Sequence, residues 1–406
     1  MVRKDELERK VVEIEFPNAE KTFQYGFTSL ISGTLRKIRP LKAEQVYVTG
    51  RDNLRDRGHP DGRPLNAPLL FLVGHESYWD FIDLPPEWST LPRKPMLNVV
   101  ARENYIGFPP LDYIINQFFS SLTTTVKRTW TIKGLSEEEK RLVREYNDKQ
   151  IDSLFDSENN KFDRAILPEA STQKNGAFRK MHSGAWRAPH RVYNDKLEIL
   201  NCVPIGNTFD NMSSIPGKHL TYINIGNIFQ YYPEEYLGGE NEEEYTKRDI
   251  AKFARKIKEK FVELHTFTLG QFGGIGILKR VLNDENSSTR HQLYQEIINA
   301  RDNLLFIKDK RPIYLDPAFE NSQINARFDN FMENLFQKGY ISYLNNGTFK
   351  IEKDKVMHVP DNKRYKKENP LRYIVNKLID VSQERPEVTR VIKEVYGFDT
   401  KDYVIS

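Results

Sequence analysis

His75-Glu76-Ser77-Tyr78-Trp79-Asp80 places a base and a carboxylate five residues apart. A histidine with one ring nitrogen tied to a carboxylate keeps the other nitrogen available to take a proton near neutral pH. Five residues turn a helix by about 500°, so the pair would not share a face of a regular helix. They meet if His75 lies in a turn and Asp80 lies one turn into the helix that follows. The form H-x4-D is weak by itself: the chain has eight histidines, and His190 with Asp195 repeats the spacing. Context separates the two matches. His190 follows Pro189 in a turn, and that match reads as coincidence. His75 follows the apolar run Leu69-Leu70-Phe71-Leu72-Val73 and then Gly74, the pattern of a buried parallel strand. Sheets of α/β proteins place their sites at the C-terminal ends of such strands. The competing reading is a core histidine beside a solvated acid.

A second feature points to an anion. Residues 170–194 contain no acid but hold Lys174, Arg179, Lys180, Arg187, Arg191, His182 and His190. The stretch follows Leu167-Pro168-Glu169 at the end of another predicted strand. A cationic loop there suits a phosphate or a nucleotide-bearing donor. A solvated basic face is the alternative, set against the interleaved Phe178, Ala185 and Trp186.

The elements that must position these residues alternate along the chain. Leu97-Asn98-Val99-Val100-Ala101 predicts a second strand, Arg164-Ala165-Ile166-Leu167 a third, residues 197–205 a fourth and 220–229 a fifth. Ser136-Glu137-Glu138-Glu139 is a capping box opening a helix with Leu142, Val143 and Tyr146 on one face. Thr246 is expected to begin a helix carrying Ile250, Phe253, Ala254, Ile257, Phe261 and Leu264. Residues 23–41 carry Phe27, Leu30, Ile31, Leu35 and Ile38 at helical spacing beside Arg36 and Lys37, as an ordinary surface helix or one lying on a membrane. The expected fold is α/β, a mixed, largely parallel sheet flanked by helices.

The glycine-rich piece from Gly270 to Gly276 lacks the spacing of a dinucleotide loop and reads as a linker or helix cap. A helix-rich region follows. Phe328, Phe331, Met332, Leu335 and Phe336 form an apolar face closed by Gly339, and two strand-like segments then flank Asn345-Asn346-Gly347. A helix followed by a hairpin is how a winged helix ends. The expected division is an N-terminal helical segment (1–44), a sheet domain (45–275) and a mainly helical, winged-helix-like C-terminal domain (276–406).

Composition bounds the rest. The chain has 406 residues, 61 Lys and Arg against 57 Asp and Glu, a net charge of +4, and 12 % aromatics. This is a globular composition long enough for a large core. A single cysteine excludes an internal disulfide framework and a multi-cysteine zinc site, and makes a reducing compartment the default. The N-terminal residues Lys4, Asp5, Glu6 and Glu8 do not read as a signal peptide. The longest apolar run, 67–73, is far short of the roughly 20 residues of a membrane span. A cytoplasmic protein with no metal and no bound cofactor is expected.

These residues resemble the glycerolipid acyltransferases, the family of glycerol-3-phosphate and lysophosphatidate acyltransferases. Its first block, N-H-x-S-x-x-D after a strand, reads here as Gly74-His75-Glu76-Ser77-Tyr78-Trp79-Asp80. Its second is similar to Ala101-Arg102-Glu103, Pro109 and Lys127-Arg128. Its third, P-E-G-T-R-S-R-x-G, reads Pro168-Glu169-Ala170-Ser171-Thr172-Gln173-Lys174-Asn175-Gly176. Its fourth, a strand ending in V-P-V, resembles Cys202-Val203-Pro204-Ile205-Gly206. The four blocks stand in order over residues 45–230.

The resemblance implies transfer of a fatty acyl group from an acyl-CoA or acyl carrier protein thioester, acting as co-substrate, to a glycerol hydroxyl in phospholipid biosynthesis. It implies His75 as base and Asp80 as its orienting acid. Glu169 and Gly176 then belong to the acceptor site, with Arg102, Lys127, Arg128, Lys174 and Arg179 as phosphate binders. Attachment to a membrane surface follows from the greasy substrate. Thr172 stands where the family has Arg, and Lys174 keeps the block's second basic position. Glycerol 3-phosphate is the expected acceptor, and a lysophosphatidate or other lysophospholipid is the alternative. The helix-rich region after Gly276, with Asn369-Pro370-Leu371-Arg372-Tyr373-Ile374-Val375-Asn376, favours the first acylation step. Lys363, Arg364, Lys366, Lys367 and Arg372 form a basic cluster, either a solvated loop or a contact with anionic lipid. A different class of function, a nucleic-acid-binding or regulatory protein, would use the winged-helix-like segment. Its helix balances Arg327 and Lys338 with Asp329 and Glu333, so nucleic acid is not expected as a partner.

Overall fold

A computed structural model describes residues 36–37, 39–54, 69–74, 87, 97–102, 123–126, 136–153, 163–169, 175–178, 181, 185–186, 189–190, 200–233, 241–344, 347–360, 368–401, 403 and 405. Its organising element is an eight-stranded sheet. The strands are β1 (Ala43–Thr49), β2 (Leu69–Val73), β3 (Leu97–Arg102), β4 (Thr123–Val126), β5 (Asp163–Ile166), β6 (Asn201–Asp210), β7 (His219–Ile225) and β8 (Phe229–Gln230). Their order is β1-β7-β6-β2-β5-β3-β4, with β8 beside β6. β6, β2, β5, β3 and β4 run parallel to one another. β7 and β8 are antiparallel to β6, and β1 is parallel to β7. The mixed, largely parallel sheet expected from the alternating elements is therefore present.

β2 sits at the centre because it is apolar on both faces. All five of its residues are 2 % exposed or less. Alternate side chains of a strand point to opposite faces. Leu70 and Leu72 accordingly join Ile166, Trp186, Cys202, Phe253, Ile257 and Phe261 on one face. Leu69, Phe71 and Val73 join Ala165, Val203, Ile205 and Ile223 on the other.

Two helices belong to this layer. α1 (Glu137–Ser153) opens with the predicted capping box: the Glu139 N–H donates to Ser136 Oγ, and the Ser136 N–H donates to Glu139 Oε2 at 2.7 Å. α2 (Glu242–Glu263) starts before the expected Thr246, because the Asn241 side chain accepts from the Glu243 N–H and caps the helix a turn earlier. The sequence reading did not foresee β1 or β4. The fifth strand is divided into β7 and β8. Most of the predicted helix at 23–41 lies outside the described residues; Arg39–Leu41 forms a short 3-10 turn leading into β1.

The glycine-rich piece is neither a linker nor a cap. It lies inside α3 (Leu269–Leu282), whose N-terminus carries a capping box between Thr268 and Gln271. Its glycines let other elements approach on several sides. A Cβ on Gly273 would lie 2.6 Å from the Phe331 ring, one on Gly274 2.6 Å from Val375 Cγ2, and one on Gly276 2.6 Å from Leu293 Cδ1. Helical propensity is sacrificed here for packing. α3 is the central helix of the C-terminal region and is surrounded by α4 (Arg290–Lys308), α5 (Ile324–Gln337), α7 (Pro370–Gln383) and α8 (Pro386–Tyr396).

A three-stranded antiparallel sheet lies beside these helices, in the order β10 (Ser287–Thr289), β13 (Thr348–Ile351), β12 (Ile341–Tyr343), followed by the short α6 (Lys353–Met357). The two-residue strands β9 (Thr266–Phe267) and β11 (Tyr314–Leu315) pair in parallel. Gly339 closes α5 at φ +71°, and the predicted hairpin joins β12 to β13. Arg372 is buried in α7 and donates to the Met357 carbonyl at 2.6 Å, so it does not join a surface lipid cluster; residues 363–367 lie outside the described residues. No helix among the described residues is long and apolar enough to cross a membrane.

Candidate functional site

The parallel strands β2, β5, β3 and β4 are contiguous, so their C-terminal ends share one edge of the sheet. Their registers align these ends closely. Leu72 is opposite Ile166, Val99 opposite Ala165, and Arg102 opposite Val126. Extending the pairing by two or three residues brings Gly74, Pro168, Arg102 and Val126 to one level across four strands. In the sequence His75 follows Gly74, Glu169 follows Pro168, and Lys127 and Arg128 follow Val126. The first, second and third sequence blocks thus emerge side by side from neighbouring strands.

His75, Asp80, Lys127, Arg128, Lys174 and Arg179 lie outside the described residues, and only the backbone of Arg102 is described. The described residues that stand at the shared level are Gly74, Pro168 and the backbones of Arg102 and Val126. The flanks of the first block are described. The Gly74 N–H donates to the Ile205 carbonyl at 3.0 Å. A Cβ on Gly74 would stand 3.6 Å from that oxygen, an ordinary contact, so the backbone does not require glycine there. At the other end, Glu87 is gripped by Arg39 Nη1 at 2.5 Å and Arg51 Nη2 at 2.6 Å. Gly74 and Glu87, the described residues on either side of residues 75–86, are thus each held by the scaffold.

Glu169 is fully buried beyond β5, with Pro168 buried before it. Gly176 takes φ +98°, in the left-handed region, and lies against α7. A Cβ there would be 2.1 Å from the Tyr373 carbonyl oxygen. This glycine is required both by its dihedral angle and by the close approach of the helix. The next residues are held by the same helix. Asn376 Nδ2 donates to the Asn175 carbonyl at 2.8 Å, and the Phe178 N–H donates to Asp380 Oδ2 at 2.8 Å. Lys377, 2 % exposed, places its ammonium 3.5 Å from the centre of the Phe178 ring. The sequence reading missed the role of Asn376, Lys377 and Asp380. The available signal was three polar residues within five positions, interleaved with the apolar Ile374, Val375, Leu378 and Ile379.

The other site-like groups take structural parts. His190 stacks on Trp186 with ring centres 4.1 Å apart, and its Nδ1 lies 3.2 Å from the buried Asp249 Oδ2. The Trp186 indole N–H donates to the same oxygen at 2.6 Å, as does the Tyr231 hydroxyl. Tyr231 follows Gln230, which pairs with Asn201 opposite Leu69 at the start of β2. This cluster is therefore at the opposite edge of the sheet from Gly74 and Glu169. The match between His190 and Asp195 is unnecessary to explain it, since Asp249 is the acid that His190 meets. Cys202 is buried inside β6, and burial pushes its thiol well above the ordinary range, so it is a core residue and no nucleophile.

Neither a known protein family nor a curated protein matches this chain. Among solved structures, it is similar to the 1-acyl-sn-glycerophosphate (LPA) acyltransferase PlsC from Thermotoga maritima. The two share 12 % identity over 62 % of this chain and 86 % of that one, with a TM-score of 0.35.

Proposed function

We propose that the protein is an O-acyltransferase that moves a fatty acyl group from an acyl-CoA or acyl carrier protein thioester to a glycerol hydroxyl, with glycerol 3-phosphate as the acceptor. The observation that carries this reading is the alignment of three sequence blocks at the ends of four adjoining parallel strands. A reaction needing a base, an acceptor site and a phosphate site draws each from a different strand end.

In this mechanism the acceptor hydroxyl attacks the thioester carbonyl carbon while His75 takes its proton. Asp80 orients the imidazole and stabilises its cationic form. A C–O bond forms and the C–S bond breaks. The proton held by His75 passes to the departing thiolate, leaving the ester, a free thiol and a neutral imidazole. The substrate oxygen is the nucleophile, so no acyl-enzyme is formed. Glu169 and Gly176 shape the acceptor site. Arg102, Lys127, Arg128, Lys174 and Arg179 bind phosphate, and the product stays near a membrane surface to which the protein attaches peripherally.

Thr172, standing where the resembling family has Arg, favours one second reading, with a lysophosphatidate as acceptor. We read the C-terminal helices and the β10-β13-β12 sheet as winged-helix-like, a reading supported by their element order. Its α5 presents exposed Asp329 and Glu333, while its Arg327 is buried and paired with Glu44. Those charges are unsuited to nucleic acid.

Purified protein given an acyl-CoA with either glycerol 3-phosphate or a lysophosphatidate should release free thiol with one of them. His75→Ala and Asp80→Asn should lose that release while keeping the folded circular-dichroism spectrum. Turnover retained by His75→Ala would overturn the mechanism.

A further inference from the structure

The topology of the main sheet decides where its longest strand ends. β6 runs parallel to β2, with Ile205 opposite Val73, and continues five residues further to Asp210. Its tip therefore extends about 16 Å beyond the edge at which Gly74 and Pro168 stand, in the same direction. β7 returns from that tip antiparallel to β6, and β1 begins beside it, with Ala43 opposite His219. The turn from Ile215 to Lys218 and the 3-10 turn Arg39–Leu41 thus adjoin each other at the end of the projection.

Hydrogen bonds hold the two turns rigidly together. The His219 N–H donates to the Lys42 carbonyl at 3.0 Å, and the Ile215 N–H donates to Glu44 Oε2 at 2.6 Å. The Lys218 N–H closes its turn on the Ile215 carbonyl at 2.9 Å. Two aliphatic side chains stand outward here. Leu41 is 71 % exposed, more than any other large apolar side chain among the described residues, and Ile215 is 46 % exposed. Lys42 and Lys218 accompany them, and Lys37 lies two residues before the 3-10 turn. None of these lysines forms an ion pair among the described residues. Neither 39–42 nor 211–218 contains an acid, and Glu44, the acid bonded to Ile215, is already paired with Arg327.

We infer that this tip docks on an anionic phospholipid bilayer, with Leu41 and Ile215 entering the headgroup layer and Lys42 and Lys218 meeting lipid phosphates. A single exposed aliphatic side chain is ordinary on a protein surface. Two on adjoining, mutually bonded turns, beside lysines without acid partners, offer a bilayer both apolar burial and charge. Two side chains cover far less than the roughly 1,000 Å² that a stable protein partner needs. A nucleic-acid backbone would engage the lysines and offer the aliphatic groups no apolar surface. Docking turns the edge bearing Gly74 and Pro168 toward the lipid. That consequence rests on the acyltransferase reading, in which the product is a lipid; the docking itself does not.

The test is co-sedimentation of the full-length protein with vesicles of equal parts phosphatidylcholine and phosphatidylglycerol, and with phosphatidylcholine alone. Wild type should bind the mixed vesicles, less so as salt rises, and bind the neutral ones poorly. Lys42→Gln with Lys218→Gln should weaken the partition roughly 25-fold, about fivefold for each lysine. Leu41→Ser with Ile215→Ser should weaken it by about tenfold or more. These residues lie at the surface and outside the strand-end blocks. Both double variants should therefore keep the wild-type urea midpoint and turn over water-soluble, short-chain acyl-CoA with glycerol 3-phosphate as wild type does. A polarity-sensitive fluorophore on Ile215→Cys should shift to the blue on the mixed vesicles. The same fluorophore on Tyr232→Cys, just past β8 at the opposite edge of the sheet, should not. The native Cys202 is buried and does not compete for the label.

A wild type that binds neither vesicle would overturn the proposal, as would unchanged vesicle binding in both double variants or a blue shift at Tyr232→Cys alone. Duplex-DNA binding or self-association that these substitutions abolish, while vesicle binding persists, would overturn it in favour of that partner. Vesicle binding that depends on the tip, in a protein without acyl transfer, would support the lipid anchor and overturn the acyltransferase reading instead.

Discussion

The two halves of the main sheet solve different problems. On one side, β2, β5, β3 and β4 are four to six residues long, and their C-terminal ends are level with one another. On the other, β6 has ten residues and β7 and β1 have seven each, and the turn from β6 to β7 is short. β6 continues five residues past its last partner in β2, a projection of roughly 16 Å at ordinary strand rise. The tip of this projection satisfies its own polar groups. Asp210 accepts from Met212, Ser213 and Gly270, and Asn334 of α5 donates to the Met212 and Ser214 carbonyls. The projecting half thus uses its polar groups to fasten the C-terminal region. The parallel half gathers its strand ends at one edge of the sheet, which is where α/β proteins commonly carry chemistry.

Substitutions in the two halves should therefore separate activity from stability. The largest effect is expected in the parallel half. His75→Ala should reduce acyl transfer about 10³-fold, the middle of the range for loss of a positioned base, with its urea midpoint unchanged. The C-terminal region should respond in the opposite sense. In Gly273→Leu the new side chain meets the Phe331 ring, from which even a Cβ would be 2.6 Å away. Overpacking at such a contact should lower unfolding stability by about 3 kcal/mol in urea titrations, while the protein that remains folded keeps its kcat. If Gly273→Leu abolished kcat without shifting the midpoint, the division between scaffold and site would fail.

The sequence reveals these halves unequally, for physical reasons. β2 is legible because a strand buried on both faces must be apolar throughout, and Leu69–Val73 is. β1, with Glu44, Gln45, Tyr47 and Thr49, lies at the edge of the sheet, and its polar residues serve the pairing of Glu44 with Arg327 and of Thr49 with Asn224. That mixed pattern does not announce a strand. β4, Thr-Thr-Thr-Val, is the opposite edge and is equally quiet. The glycines of α3 mislead for a different reason: local propensity argues against a helix, and only the approach of Phe331, Val375 and Leu293 explains why small residues are needed. In the candidate site, the strand-end blocks are readable because chemistry restricts residue types locally. The contribution of α7 is not, since Asn376 and Asp380 meet Asn175 and Phe178 across about two hundred positions of chain.

A smaller effect would sharpen the comparison by giving the projecting half its own pH dependence. Asp316 caps the turn at Pro317–Phe319, with its Oδ1 accepting from the Ala318 N–H at 3.0 Å, and it is fully buried between the C-terminal region and β7. Burial pushes its carboxyl up from 3.8 to about 6, with the Ala318 N–H and Arg327 opposing the rise and Asp210 adding to it. Between these two values the folded protein holds a proton that the unfolded chain has released. Stability contributed by Asp316 is therefore complete below about 4, declines as pH rises, and is lost above about 6. Asp316→Asn keeps an oxygen for the cap and removes the titration. Relative to wild type, it should gain on the order of 2 kcal/mol in unfolding stability above pH 6 and nothing below pH 4, in urea midpoints measured across that interval. Its acyl-transfer pH profile should match wild type, because the group is buried in the fastening half. A gain of the opposite sign would mean that Arg327 holds Asp316 as an ion pair, and the tip of the projection would then be stabilised by charge rather than penalised by it.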